Sequence, residues 1–372
     1  MDKEAFEKHK PFAGEKKPSM LRRRVGHDYE SRRIYLITMT IERRRPLLGT
    51  LTGDADAPDG SPEAPRLEPS PLGLEVQRCW RAIHDHYPEV DVLALQLMPD
   101  HLHGILFVTR QMEQHLGMIL KGFKAGCNKA YRALCPAQSA YAATLLQQQK
   151  PDREHGLLFS RNYNDHILDG AGELQHWFQY LHDNPRRLAA RRKYPALFSM
   201  HRQTKVCGLS FTSMGNHYLL DRPGRQLIEI SRKAGRQETD RCMLSALAAA
   251  RHGAVTYTAA ISPGEKAIAR AIRQQGFPLV VLLSDGFPPE GSPHERYYKP
   301  SGVYFDACAK GLLLLLEPDD TSFLLPALRA ATEQALRRKA EAKGFPYAPI
   351  PVTSRRYRFV ALNEMGRMMV ER

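Results

Sequence analysis

The sequence predicts an α+β protein in which a domain built on one antiparallel sheet is followed by an α/β domain. Up to about residue 192, the segments run in the order strand, helix, two strands, helix, strand and helix. Beyond about residue 205, nearly continuous apolar strands alternate with helices, as in a parallel sheet that is covered on both faces. The 372 residues, 42% of them hydrophobic, are enough for about two domains with apolar cores.

The chain carries a strong positive charge, which bears on its partners. Lys and Arg number 54 against 40 Asp and Glu, giving a formal net charge of +14. A polyanion is the natural partner of such a protein, although a solvated basic surface would give the same count. Residues 1–32 are rich in Lys, Arg and Glu with little periodicity, which predicts a basic N-terminal arm that orders on nucleic acid.

Composition and missing motifs disfavour several classes of function. The six cysteines are scattered without a Cys-x-x-Cys pair, which argues against a disulfide framework and a structural zinc site. No apolar run reaches membrane-spanning length and the N-terminus is charged, so we expect no membrane partner and a cytoplasmic location. The sequence has neither a Gly-x-Gly-x-x-Gly fingerprint nor a Walker loop, which argues against a redox dinucleotide and against ATP hydrolysis.

The first domain is predicted to begin with a strand over residues 34–41, which are dense in β-branched and aromatic side chains. Residues 51–71 are crowded with Gly, Pro, Asp and Ser, which predicts a long exposed loop. Residues 73–87 carry apolar side chains at helical spacing and precede Pro88, which predicts an amphipathic helix.

A second amphipathic helix is predicted over residues 112–134, where apolar residues again recur at helical spacing. Lys121 and Lys124 lie on its other faces, where they would either hold a phosphate backbone or form a plain solvated face. Three further segments complete the domain: a flexible link at 136–152, a strand at 157–168 and a helix at 171–192 that is interrupted by Pro185.

A pair of histidines lies on a predicted hairpin between the two helices. The apolar runs 90–96 and 102–108 meet at a Pro-Asp turn, which predicts two antiparallel strands. Because side chains alternate along a strand, His101 and His103 share one face. Two imidazoles on one face make half of a metal site, and the alternative is a pair of partly exposed histidines.

Three elements of this half resemble one family. They are Met98-Pro99-Asp100-His101-Leu102-His103-Gly104, Asn162-Tyr163-Asn164-Asp165-His166-Ile167 and Tyr180-Leu181-His182-Asp183-Asn184-Pro185. In order and separation they resemble the HUH-type single-tyrosine transposases, and within these the REP-associated tyrosine transposases of bacteria. The resemblance covers roughly residues 30–205 and implies a ferredoxin-like or RRM-like HUH domain over residues 33–204. The long segment at 51–71 departs from the family's pattern.

The resemblance also implies an activity and its site residues. His101 and His103 would be metal ligands, Tyr180 the nucleophile, and Asn184, one helical turn later, a further metal ligand. The cofactor would be Mg2+ or Mn2+. The activity would be that of a transposase or single-strand DNA endonuclease that cleaves and rejoins DNA through a phosphotyrosine intermediate. The alternative function is a catalytically idle DNA-binding regulatory protein whose second domain senses a nucleotide.

Other interpretations of the site residues stay open at this point. Tyr163 is a rival nucleophile because it also lies near a histidine, whereas Tyr180 could instead pack on Trp177. Asn184 precedes a proline and could simply end a helical turn.

DNA contacts are expected from basic residues in several clusters. The candidates are Arg43, Arg44, Lys121, Lys124, Arg161 and Arg186. Asp165 and His166 would support the metal, contact DNA or serve a structural role. The expected partner is single-stranded, hairpin or palindromic DNA, with a homodimer left open beside a monomer.

The second half, over residues 205–325, looks like the Rossmann-type domain of the DNA-processing protein A and of related nucleotide- or DNA-binding proteins. Ser262, Gly264 and Lys266 at a predicted helix start form a candidate phosphate site, with ordinary helix capping as the alternative. The remaining residues, 326–372, are predicted to form a C-terminal helix and a basic tail.

Overall fold

The structure is a computed structural model that describes residues 24, 26–148, 157–292, 295, 298–300 and 302–372. The chain divides into two compact units, residues 1–189 and 190–372. The predicted domain boundary at 204/205 stays a prediction, and most of the predicted arm at 1–32 lies outside the described residues. In the described part, no helix is both long and apolar enough to cross a membrane.

The first unit combines antiparallel strands with helices, which confirms the α+β class for this part of the chain. Its elements are β1 (Arg33–Thr40), β2 (Gly49–Thr52), β3 (Arg66–Pro69), α1 (Pro71–Arg81), α2 (Ile83–His86), β4 (Val90–Met98), β5 (His101–Val108), α3 (Leu116–Leu134), α4 (Pro136–Gln148), β6 (Asn164–Ile167) and α5 (Glu173–Lys193). The main sheet has the strand order β4-β5-β1-β6, and all its neighbouring strands are antiparallel.

The two faces of this sheet are covered differently. One face carries the larger core, in which Leu102 and Leu106 of β5 pack with Trp80 of α1 and Phe123 of α3. The opposite face carries a small apolar cluster that centres on Leu36, Ile105 and Leu181, so α5 lies on this face. Since His101 and His103 alternate with Leu102, they share the face of Ile105 and α5.

A glycine on the core face of β5 allows α1 to approach the strand. Gly104 follows His103, and a Cβ atom at this position would overlap the indole ring of Trp80. The indole is fully buried and donates a hydrogen bond from Nε1 to the carbonyl oxygen of Ala94, 3.2 Å away. The small residue at 104 therefore admits a large aromatic ring directly behind the histidine face.

Two sequence predictions for the first unit are corrected by the structure. The predicted flexible link at 136–152 is a helix, α4, over the part that the structure describes. Its Ala and Gln residues have high helix propensity, which outweighs the resemblance to a linker composition. The predicted loop at 51–71 is closed by the β2-β3 hairpin, in which Gly49 pairs with Pro69 and Thr52 with Arg66.

Two further elements differ from the sequence prediction in their extent. Of the predicted strand at 157–168, only Asn164–Ile167 forms a strand, with an isolated bridge between Phe159 and Ile41. Helix α5 continues through Pro185 rather than being interrupted there. Proline lacks a backbone N–H, so the helix loses one backbone hydrogen bond at this position, and the packing of its side chains offsets that loss.

The second unit is built on a six-stranded mixed sheet with the order β7-β8-β12-β11-β10-β9. Its elements are β7 (His201–Val206), β8 (Leu209–Gly215), β9 (Arg225–Ile228), α6 (Arg236–Arg251), β10 (Val255–Thr258), α7 (Pro263–Gln274), β11 (Leu279–Leu282), α8 (Gly302–Ala309), β12 (Leu313–Pro318), α9 (Pro326–Glu341) and α10 (Arg355–Val370). Strands β9 to β12 are parallel and lie in sequence order, with α6, α7 and α8 as crossovers. Among these described strands the order never reverses, unlike the sheet of a Rossmann fold.

The C-terminal residues differ most from their prediction. The expected basic tail forms α10, which buries Tyr357, Ala361, Leu362 and Met365 in the main core of the unit. These apolar residues recur at helical spacing between basic ones, so the helix presents an apolar side to β9 and β10 and a charged side to water.

Candidate functional site

Two imidazoles lie side by side on β5 at the face that α5 covers. Their ring centroids are 4.9 Å apart, and the rings meet edge to face. Both side chains are half-buried, and the side chain of His101 is 19% exposed. The turn before them is held against the end of β1, because the amide of Ile41 donates to the carbonyl oxygen of Asp100, 2.8 Å away.

Each imidazole is oriented by a hydrogen bond at Nδ1. Nδ1 of His101 lies 2.6 Å from Oδ1 of Asp100, and Nδ1 of His103 lies 2.7 Å from Oγ1 of Thr38 on β1. Burial raises the pKa of Asp100, but the hydrogen bond from His101 and the charges of His101 and Arg44 outweigh it and leave that pKa below its usual value. An ionised carboxylate can only accept, so Nδ1 of His101 carries a hydrogen, and in the neutral form of the ring Nε2 carries the lone pair.

Tyr180 lies against this histidine pair. Its ring centroid is 5.9 Å from that of His103 and 5.1 Å from that of Trp177. The next residue, Leu181, is 3% exposed and anchors α5 on Leu36 and Ile105 of the sheet. The packing of α5 on the histidine face therefore brings the phenol from a distant part of the sequence to His103.

Asn184, one turn after Tyr180, is buried with an unsatisfied amide. It is 5% exposed, and its Nδ2 has no hydrogen-bond partner among the described residues. Leaving a buried amide nitrogen unpaired is costly, so a polar group of this kind is expected to have a partner in the working protein. The described residues contain no cluster of three or more His, Cys, Asp and Glu side chains that could hold a metal. The predicted set has only two such side chains, and it stays a prediction.

Two arginines follow Tyr180 on α5. The guanidinium of Arg187 lies 5.3 Å from the ring centroid of Tyr180 and is ion-paired with Asp183. Arg186, a predicted DNA contact, also pairs with Asp183, with Nε 2.5 Å from Oδ1. Arg187 is not among the predicted site residues, because its position over the tyrosine ring depends on the rotamer and not on a motif.

A strained turn places a further positive charge beside the histidines. Arg43 and Arg44, both predicted DNA contacts, lie exposed in a short 3-10 turn after β1, with φ values of 59° and 53°. Non-glycine residues rarely adopt this left-handed conformation, and such strain is concentrated at functional sites. Nη1 of Arg44 is 3.3 Å from Oδ2 of Asp100, so this arginine belongs to the network that orients His101.

The other predicted DNA contacts lie elsewhere in the unit. Lys121 and Lys124 are on α3, which packs on the opposite face of the sheet from the histidines. With Arg161 they line a separate cavity of about 390 Å³. Nζ of Lys124 donates to three backbone carbonyl oxygens, those of Ser160, Arg161 and Asn162, at 2.7 to 3.1 Å. Lys124 therefore holds a loop in place.

The remaining motif residues divide between the two faces. Tyr163, the rival nucleophile, is 7% exposed and packs in the core opposite the histidine face. Asp165 accepts a hydrogen bond from Tyr29 at 2.7 Å. His166 lies on the histidine face, 2.6 Å from Oε1 of Glu173, and the hydrogen bond with His166 and the amide of Gly170 lower the pKa of Glu173.

The predicted phosphate site lies at the start of α7. Ser262 is buried, and its hydroxyl accepts from the amide of Glu265, whose carboxylate bonds back to the amide of Ser262. This reciprocal capping box is the arrangement that ordinary helix capping produces. Lys266 is exposed and Gly264 packs beside Ile230, so the phosphate role of these residues stays a prediction.

Comparisons with known proteins give limited similarity. No protein-family profile matches the chain. An uncharacterized protein of Haemophilus influenzae is 22% identical over 161 residues, which is 43% of this chain and 83% of that protein. Among solved structures, a REP-associated tyrosine transposase bound to a REP hairpin has a TM-score of 0.28 and 12% identity, covering 44% of this chain and 72% of its own. A "putative transposase" of Deinococcus radiodurans R1 has a TM-score of 0.25 and 14% identity, covering 44% and 98%. TM-scores this low do not establish a common fold.

Proposed function

We propose that this protein is a metal-dependent transposase or single-strand DNA endonuclease, with Tyr180 as its nucleophile. The observation that carries the proposal is the arrangement of His101, His103 and Tyr180 on one face of the sheet, with the phenol ring 5.9 Å from the ring of His103. Two of the three sequence elements that resemble HUH-type transposases contribute these same residues. The β-α-β-β-α-β order of β1, α1, β4, β5, α3 and β6 also supports the proposed ferredoxin-like HUH domain.

The side chains fit a hard divalent cation such as Mg2+ or Mn2+. His101 and His103 would bind it through Nε2, because Nδ1 of each ring is hydrogen-bonded to Asp100 or Thr38. Asn184 would supply its amide oxygen, since half a turn of the amide exchanges Oδ1 with the unpartnered Nδ2. When bound, such an ion polarises the scissile phosphodiester as a Lewis acid.

The residues of the chain would carry the covalent step. The phenolic oxygen of Tyr180 gives up its proton and forms a bond to phosphorus, the bond from phosphorus to the 3′ oxygen breaks, and that oxygen takes up a proton and leaves as a 3′ hydroxyl. Because the phosphotyrosine keeps the energy of the phosphodiester, the same hydroxyl can attack it and restore the strand. Arg187 places a positive charge beside Tyr180, where it would hold the anionic backbone.

DNA would approach this face along the basic residues that border it. Arg44 is ion-paired with Asp100, which orients His101, and Arg186 lies on α5, the helix that carries Tyr180. Lys121 and Arg161 would form a second contact surface on the opposite face. We therefore expect substitutions of Arg44 and Arg186 to reduce the rate of DNA cleavage, and substitutions of Lys121 and Arg161 to reduce the affinity for DNA.

Covalent capture tests the proposal. The protein is incubated with Mn2+ and a pool of end-labelled hairpin and single-stranded oligonucleotides of randomised sequence, and adducts that resist SDS are counted. Wild type should form adducts and Tyr180→Phe should form none. Tyr163→Phe is the matched control, because Tyr163 packs on the opposite face, and it should retain them.

Two results would contradict the proposal. Adducts that persist in Tyr180→Phe and vanish in Tyr163→Phe would move the nucleophile to the rival residue. Tight binding of the pool without any cleavage or adduct in wild type would favour the idle DNA-binding regulator.

A further inference from the structure

A cavity of about 850 Å³ opens in the second unit at the carboxyl ends of β9 and β10. Its lining includes residues 229–233, which follow β9, together with Ile261 and Ser262, which follow β10. Side chains from α9 and α10 form the remaining walls. Parallel α/β sheets carry their ligand sites at the carboxyl ends of the strands, also where the strand order does not reverse, and this volume suits a ligand of nucleotide size.

The lining of this cavity is strongly basic. Six of the described residues that line it are cationic: Arg232, Lys233, Lys339, Lys343, Arg355 and Arg356. The two acidic residues in the lining are already engaged. Glu229 pairs with Lys339 at 3.0 Å and with Arg367 at 2.7 Å, and Glu265 accepts from the amides of Ile230, Ile261 and Ser262. The other five cations have no acidic partner in the described part of the chain, so the cavity favours an anion.

A buried amide in the wall indicates that the ligand also offers a hydrogen-bond donor. Asn363 of α10 is 8% exposed, and its Oδ1 is buried with no hydrogen-bond partner among the residues that the structure describes. Asn363 is among the residues that line the cavity, so a rotation of its side chain would turn the amide toward a bound molecule. A buried acceptor without a partner is destabilising, and a ligand with an N–H or O–H group would satisfy it.

The same wall offers an apolar surface for a planar group. The ring of Phe359 lies in the lining, with the guanidinium carbons of Arg232 and Arg355 at 5.5 Å and 5.2 Å from its centroid. Ile230 and Ile261 extend the apolar surface. Aromatic and guanidinium planes are the surfaces on which nucleobases stack.

The start of α7 does not hold the anion in this arrangement. The carboxylate of Glu265 already occupies that end of the helix through the capping box. A second anion there would be repelled, so the basic side chains of α9, α10 and the β9 loop are the better partners. Of the three residues of the predicted phosphate site, Ser262 lines the cavity but is engaged in the capping box, and Gly264 and Lys266 do not line it.

We propose that this cavity binds a nucleoside phosphate, with the phosphate on Arg355, Arg356 and Lys343 and the base against Phe359 and Asn363. The ligand chemistry is that of a 5′-phosphorylated nucleoside, supplied either as a free nucleotide or as the 5′ end of a DNA strand. The proposal does not depend on the activity of Tyr180.

Isothermal titration calorimetry on the full chain tests the proposal. The probes are the four nucleoside 5′-monophosphates, the matching nucleosides, inorganic phosphate and a 5′-phosphorylated tetranucleotide. At least one monophosphate should bind more tightly than its nucleoside and than inorganic phosphate. If the tetranucleotide binds more tightly than the monophosphate, the source is a DNA end, and the reverse order identifies a free nucleotide.

Variants locate the binding. Arg355→Ala and Asn363→Leu should each weaken the monophosphate by about tenfold or more, since each removes a hydrogen-bond partner of a ligand group. Arg270→Ala is the matched control, an exposed cation on α7 that does not line the cavity, and should change nothing. Arg232→Ala provides a second lining variant if Asn363→Leu fails to fold, as judged by thermal unfolding.

Three outcomes would overturn the proposal. They are the absence of binding by every monophosphate, equal affinity in wild type and all lining variants, and inorganic phosphate binding as tightly as the nucleotides. Binding that is retained in Tyr180→Phe would show that the cavity and the proposed nuclease site are independent.

Discussion

The two candidate sites lie in different places on their sheets, and sheet type explains the difference. In the first unit, His101 and His103 stand on the face of an antiparallel sheet, which α5 covers only in part. In the second unit, strands β10 to β12 are buried on both faces, and the cavity lies where β9 and β10 end. An antiparallel sheet can expose alternate side chains along a strand, whereas a covered parallel sheet leaves only its strand ends accessible.

The sites share one feature despite this difference. Each has a buried asparagine on a helix with one amide atom that lacks a partner in the described structure, Nδ2 of Asn184 and Oδ1 of Asn363. Orphaned polar atoms of this kind lower stability and are retained where they serve a ligand. Replacing either asparagine by an apolar residue is therefore expected to reduce function while it leaves stability unchanged or raises it.

The largest expected effect separates the two sites completely. His101→Ala or His103→Ala should reduce metal-dependent cleavage by at least about 100-fold, because a ligand set of two imidazoles loses one of them. Nucleotide binding by the second unit should stay at the wild-type level. Thr38→Val, which removes the hydrogen bond to Nδ1 of His103, should reduce cleavage by about 10- to 100-fold. Cleavage rates and calorimetry measure these effects, and full cleavage in either histidine variant would exclude the metal role.

The next effect tests the packing behind the histidine face. Gly104→Ala should lower the free energy of unfolding by about 1 to 3 kcal/mol, because the new methyl group overlaps Trp80. Urea unfolding followed by tryptophan fluorescence reports on this region. Gly122→Ala on the exposed side of α3, where an added Cβ meets only the end of the Tyr87 side chain, serves as the control and should leave stability unchanged or raise it slightly. An unchanged midpoint in Gly104→Ala would mean that α1 does not pack on β5 as described.

The asparagines provide a sharper test of the shared feature. Asn184→Leu and Asn363→Leu should each leave the free energy of unfolding unchanged or raise it by up to about 1 kcal/mol, because an unpaired polar atom is removed. The first should abolish adduct formation and the second should weaken nucleotide binding. Thermal unfolding combined with the two functional assays gives the answer. A loss of about 2 kcal/mol or more in either variant would assign that asparagine a structural role instead.

The smallest effect concerns pH and is confined to the second unit. Burial and the charge of His201 lower the pKa of His217, whose Nε2 lies 2.8 Å from Oγ of Ser213. The unfolded chain therefore binds a proton more readily than the folded one. The stability that the neutral His217 contributes is therefore fully present at pH values above 6.5, the ordinary pKa of histidine. It is lost as the pH falls through the lower pKa of His217 in the folded protein. In urea unfolding, the free energy of unfolding should fall less between pH 7.5 and pH 5.5 for His217→Gln than for wild type. Equal decreases would argue against this contribution of His217.

The sequence alone was sufficient for patterns that depend on near neighbours. Alternation along β5 places His101 and His103 on one face, and the structure has them there. The capping box that opens α7 is likewise confirmed, because it depends on residues three apart. The apolar runs at β11 and β12 form parallel strands, as their continuous hydrophobicity indicates.

Local patterns failed where two signals competed within one segment. The Ala and Gln residues of α4 are typical of a linker as well as of a helix. In α10 the many basic residues indicate a solvated tail, although apolar residues at helical spacing lie between them. In α10 the packing against β9 and β10 makes the segment a buried helix and not a tail, since helices of this length gain most of their stability from tertiary contacts.

Only the tertiary structure determined which side chains share a site. The packing of Leu181 on Leu36 and Ile105 brings Tyr180 to His103, whereas α3 packs on the other face and takes Lys121 and Lys124 away from the histidines. The cavity around Asn363 likewise combines α10 with loops from more than a hundred residues earlier. Spacing along the chain determines the face on which a side chain stands, but the face that meets another element depends on burying apolar area between distant segments.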